Sequence, residues 1–114
     1  MTGSMVNPTL LVQQLNQSER SIELHGDSYQ LGRDNNADIP LIHPAISRLH
    51  ARLVRCGRHW RLIDEQSTNG LWWQGRRIQE IELRDGDQIA LAPASEPDAP
   101  QLIFRNPSDQ NRRS

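Results

Sequence analysis

Apolar residues along this chain come in short runs, and polar, Gly or Pro positions separate them roughly every eight to twelve residues. No stretch shows the i, i+3, i+4 recurrence of an amphipathic helix, and no segment repeats. The pattern predicts an all-β sandwich or barrel. Strands are expected at Thr9–Gln14, Ser21–His25, Tyr29–Gly32, near Ile39, Ala51–Arg55 and His59–Asp64. Further strands are expected at Leu71–Trp73, Arg76–Ile78, Ile81–Leu83, Gln88–Leu91 and Gln101–Arg105. Gly57 and Gln74-Gly75 sit where hairpin turns belong, and Asp85-Gly86 marks another turn. Alternation along a strand puts Trp72 and Trp73 on opposite faces, one buried and one exposed.

At 114 residues the chain suits one domain with a real core. The domain is expected over residues 9–105, between an N-terminal tail (1–8) and a polar C-terminal tail or linker (106–114) that points to a longer parent protein. The net charge of −1 gives no general attraction to nucleic acid or to acidic lipid. No run is long enough to span a bilayer, and residues 1–8 lack the build of a signal peptide. No direct membrane contact is expected of the domain. The single cysteine, Cys56, excludes an internal disulfide and is expected as a buried strand thiol in a reducing, cytoplasmic setting. All thirteen basic residues are Arg. Arg suits fork-like recognition of carboxylate and phosphate.

Three loops carry candidate chemistry. In Gly32-Arg33, a glycine lets the chain bend so that a guanidinium can project from a strand end. Ser47-Arg48-Leu49-His50 places a hydroxyl donor beside a guanidinium. Ser67-Thr68-Asn69-Gly70 ends in a turn pair whose Asn offers both donor and acceptor.

In order and spacing these residues resemble the forkhead-associated (FHA) domain family. Its pattern is a Gly-Arg, then a Ser-x-x-His, then an Asn-Gly. Three further segments are similar: Tyr29–Asp34, Leu71–Ile78 and Asp85–Ile89. The likeness runs over about residues 9 to 105. It implies an eleven-strand FHA-type β-sandwich of two sheets, whose loops at one end bind a phosphothreonine peptide. It also implies that Arg33 and Ser47 bind the phosphate and that Arg48 contacts phosphate or peptide backbone. Thr68 would lie at the phosphate or the threonine pocket, and Asn69 would hold the peptide main chain. Gly32, His50 and Gly70 would shape the loops. The implied partner is a phosphothreonine-containing protein, or another segment of the parent chain, modified by an upstream Ser/Thr kinase. No cofactor, metal or nucleic acid is implied. Leu71, Gln74 and His43-Pro44-Ala45 depart from the family's usual residues, but no phosphate-facing position is lost.

Each of these residues also has a plainer reading. Arg33 could be an ordinary surface residue, Ser47 a loop end and Asn69 a turn former. Arg48 could pair with an acidic neighbour, and His50 could tie two loops together. A Ser47–His50–Asp64 hydrolase would require a geometry that residue types alone do not give, and no nucleophile elbow is present. The four His and Cys56 lack metal-ligand spacing. The alternative to phosphopeptide binding is a phosphate-independent scaffold or oligomerisation domain on the same fold.

Overall fold

The computed structural model describes residues 7–108. Residues 1–6 and 109–114, most of the two expected tails, lie outside the described part. Eleven strands form two sheets: β1 (Thr9–Gln13), β2 (Arg20–Glu23), β3 (Ser28–Gly32), β4 (Ile39–Pro40), β5 (Ala51–Cys56), β6 (His59–Asp64), β7 (Leu71–Trp73), β8 (Arg76–Ile78), β9 (Glu80–Leu83), β10 (Gln88–Ala90) and β11 (Gln101–Arg105). The six-stranded sheet runs β2-β1-β11-β10-β7-β8, and the five-stranded sheet β4-β3-β5-β6-β9. Among the described residues, no helix is long and apolar enough to cross a membrane.

Alternation in the sequence decides which face of each strand is buried. Leu10 and Val12 of β1, Leu102 and Phe104 of β11, and Ile89 of β10 point inward and are almost fully buried. From the other sheet, Leu31, Leu53, Trp60 and Leu62 meet them in one core cluster. Burying such a side chain contributes about 1.5–3 kcal/mol, so the inner faces hold the sandwich together. Hairpins close at the expected places: β1–β2, β5–β6 around Gly57 (φ 65°), and β7–β8 around Gly75 (φ 79°). At Asp85-Gly86 the chain instead crosses between sheets, since β9 pairs with β6 and β10 with β11.

The outer faces differ. On the five-stranded sheet, Arg61 pairs with Glu80 at 2.8 Å, His59 approaches Glu82 at 3.2 Å, and Arg52 pairs with Glu65 at 2.7 Å. The centre of the six-stranded sheet's outer face is uncharged, with Leu11 opposite Ile103 and Ala90 opposite Trp72.

Two expectations are corrected. Cys56 is exposed rather than buried. It shares the outer face of β5 with Arg52 and ends the strand, beyond the reach of the core. Trp72 and Trp73 are both half-buried. Trp73 does face the core, but at the end of a three-residue strand. Trp72 faces outward, yet its indole is drawn back to the preceding loop. Asn106 remains tied to the sandwich: it is buried, and its N–H donates to Asp85 Oδ1 at 2.9 Å.

Candidate functional site

Strands β3 and β6 end, and β5 and β7 begin, at the same end of the sandwich. The antiparallel registers Leu31 with Ala51 and Ala51 with Asp64 fix this. The loops 33–38, 41–50 and 65–70 therefore converge, although two full strands, β5 and β6, separate the third from the second in sequence.

Their junctions are hydrogen-bonded. Arg33 N–H donates to Ser47 O at 2.9 Å, and Asp34 N–H donates to Arg48 O at 3.2 Å. The Arg33 side chain follows: its Nε–H donates to Ile46 O at 2.9 Å. That bond anchors the guanidinium on the residue that precedes Ser47. Its terminal nitrogens carry no hydrogen bond among the described residues. Arg33 is exposed and Ser47 half-buried, so the pair is reachable from solvent.

Gly32 is needed here for a different reason than the sequence suggested. Its φ is not positive, so it supplies no unusual bend. Instead the backbone of Arg48 passes directly over it, and a Cβ at position 32 would strike the Arg48 carbonyl oxygen. The glycine lets the two loops touch.

Ser47 joins the second loop to the third, because its Oγ accepts the Thr68 N–H at 3.0 Å. The hydroxyl hydrogen stays available to donate. Thr68 is exposed, and its hydroxyl has no hydrogen-bond partner among the described residues. Asn69 Nδ2 donates to Ala45 O at 2.8 Å, which leaves its Oδ1 unbonded among those residues. Asn69 does not itself take the left-handed turn; Gly70 does, at φ 83°. Arg48 meets Asp34 loosely, at 3.6 Å, with three-quarters of its side chain exposed.

Beneath these groups lies a buried tier. His50 is fully buried. Its Nδ1 accepts the Ser47 N–H at 3.1 Å, so the proton sits on Nε2, 2.9 Å from Gly70 O. One imidazole thus ties the second loop to the third. Burial lowers its pKa below 6.5, although the Gly70 carbonyl and Asp64 act in the opposite sense. Asp64 and Ser67 are both buried and joined by a short Oγ–H to Oδ1 bond. The same Oγ accepts the Gly70 N–H at 2.9 Å. This geometry excludes a Ser47–His50–Asp64 relay: His50 holds the serine's amide, not its hydroxyl, and Asp64 is engaged by Ser67.

Two contributors escaped the sequence reading, Arg77 and Trp72. Arg77 of β8 reaches back, and its Nη2 donates to the carbonyls of Ser67 (3.2 Å) and Thr68 (3.4 Å). Gly70 is favoured by its positive φ, and a Cβ there would also push the Arg77 side chain aside. Trp72 Nε1 donates to Asn69 O at 2.6 Å. The turn role of Ser67, already in the third candidate loop, was open to the sequence, since Asp-x-x-Ser is a spacing at which a carboxylate holds a turn. Nothing local marks Arg77, which stands next to a second arginine.

The fold and these loops define an FHA domain, and the chain belongs to that family: the FHA domain family model matches residues 29–92. It is 34% identical over 97 residues to the ABC transporter ATP-binding/permease protein Rv1747 of Mycobacterium tuberculosis. That alignment covers 85% of this chain but only 11% of the relative. A solved FHA domain from work on phosphothreonine-dependent FHA domain interactions is 30% identical, with a TM-score of 0.71, covering 86% of this chain and 96% of that one. Mycobacterium tuberculosis EmbR, solved in complex with a low-affinity phosphopeptide, is 28% identical with a TM-score of 0.70, covering 85% of this chain and 24% of that one.

Proposed function

We propose that this chain is a non-enzymatic module that binds a phosphothreonine-containing segment of a partner protein after a Ser/Thr kinase has acted in the cytoplasm. The observation that carries this reading is the junction of Arg33 and Ser47. The Arg33 guanidinium is held by its Nε on Ile46 O, the Arg33 amide is bonded to Ser47 O, and the Ser47 hydroxyl accepts from Thr68 and can still donate. A phosphothreonine carries about −1.5 to −2 charges near neutral pH, with three strong acceptor oxygens. The terminal nitrogens of Arg33 and the Ser47 hydroxyl are the donors such a group needs. Arg48 adds an exposed positive charge at the rim. Thr68 lines the approach, and Asn69 offers Oδ1 to the peptide main chain. The partner belongs to another protein or to another part of a longer parent chain.

Hydrogen bonds to charged groups contribute about 1.5–3 kcal/mol each. Two or three of them, less the cost of association, suit a Kd near about 1 μM. That strength fits an interaction meant to be reversed. The threonine methyl alone, worth about 0.8 kcal/mol, would favour threonine over serine by only about fourfold. Stronger selection requires the methyl to fix the phosphate's orientation.

The deciding experiment is a peptide library screened with and without phosphate, on the parent chain and on Arg33→Ala. Retention of the phosphorylated set by the parent alone is expected. Equal retention of both sets would replace this reading with a phosphate-independent scaffold.

A further inference from the structure

Next to the loop tips, an open groove of about 490 Å³ runs along the outer side of the six-stranded sheet. Trp72 and Ala90, facing each other across β7 and β10, form its floor. Pro93, Glu96 and Pro97 of the 92–100 loop form one wall, and Asp87 stands at the far mouth.

Two observations say what it is shaped to hold. The first is continuity with the loops. Trp72 donates its indole N–H to Asn69 O. Ala92 and Ala99 of the groove loop pack on Ala45, whose carbonyl holds the Asn69 side chain. A peptide lying across Asn69 meets the groove as its next surface. The second is charge. The phosphate-facing loops present Arg33 and Arg48, whereas the charged residues lining the groove are Asp87 and Glu96, with no arginine among them. Asp87 already accepts the Arg84 N–H at 2.9 Å. Glu96 is exposed, and its carboxylate has no partner among the described residues.

We infer that this groove takes the segment of the phosphorylated partner that flanks the phosphothreonine, and that this segment carries a Lys or Arg side chain there. The inference rests on the phosphothreonine reading above. The aliphatic stem of such a residue lies on Trp72 and the proline wall, and its charged head reaches Glu96. The ligand is then polarised, anionic at the loops and cationic in the groove. A bare phosphate or an all-acidic phosphopeptide would fill only half of the surface.

The test is an oriented library of phosphothreonine peptides with randomised flanks, retained on the parent chain, on Glu96→Gln and on Ala90→Arg. The second variant fills the groove from an outward strand position, without touching the loops. The parent should enrich Lys and Arg by about threefold or more at one fixed distance from the phosphothreonine. Both variants should lose that enrichment, yet bind a short phosphothreonine peptide as tightly as the parent does. Phosphopeptides retained through Arg33 with no enriched cation, or with an enrichment both variants keep, would overturn the groove and leave the phosphate site standing. Failure of the parent to retain any phosphopeptide would overturn both.

Discussion

At one end of the sandwich two sets of polar residues lie almost in contact and are used in opposite ways. His50, Asp64, Ser67 and the Gly70 backbone are buried, and nearly every donor and acceptor among them is matched. Arg33, Arg48 and Thr68 are exposed and keep donors to spare. The lower set contributes to folding, and the upper set is open to a ligand. The difference teaches that a residue pattern can be shared between two tasks. The Ser-x-x-His segment supplies one member to each tier, with Ser47 above and His50 below.

Substitutions should separate the tiers. The largest effect is expected for His50→Ala, which leaves the Ser47 amide and the Gly70 carbonyl buried without partners and opens a cavity. The cost should be about 3 kcal/mol of folding stability, read as a fall of about 10 °C in Tm. Arg33→Ala should behave in the opposite way. Its affinity for phosphopeptide should fall by about 10- to 100-fold, with Tm within about 2 °C of the parent. A large loss of Tm in this variant would erase the distinction between the tiers.

Acidity sharpens the comparison without a ligand. His50 is neutral in the folded chain at pH 7, and burial holds its pKa below the ordinary 6.5. As pH drops below about 6.5, the unfolded chain binds a proton that folded His50 refuses. The stability from this residue is complete above that value and declines toward the folded pKa. Urea unfolding of the free chain should show the decline, and His50→Gln should flatten that part of the curve. The smallest effect is expected for Arg48→Ala. Its loose pairing with Asp34 is worth less than about 0.5 kcal/mol, and its loss should weaken phosphopeptide binding less than that of Arg33. Isothermal titration of the two variants with one peptide checks that order.

The strands were legible in the sequence because their signals are local. Alternating Leu and Ile, with Gly57, Gly70, Gly75 and Gly86 at turns of positive φ, mark most edges to within a residue or two. The candidate site was legible in part, through the Gly-Arg, Ser-x-x-His and Asn-Gly spacings. What remained hidden depends on residues brought together from different strands. Gly32 reads as a bend, but its reason is the Arg48 backbone crossing above it. The clamp of Arg77 on the 67–68 carbonyls exists only once β8 folds back along β7. Cys56 reads as a core thiol until register assigns it to the outer face.

The antiparallel pairing of β1 with β11 has a mechanical consequence. Thr9 and Arg105 are direct partners, so β1 begins and β11 ends side by side, a strand length from the 33–38, 41–50 and 65–70 loops. Tension applied through the two would act along the interstrand hydrogen bonds rather than across them. The rungs would then part singly, from Thr9–Arg105 toward Gln13–Gln101. The module would peel open like a zip under modest load, where a sheared pair would hold until all its rungs failed together.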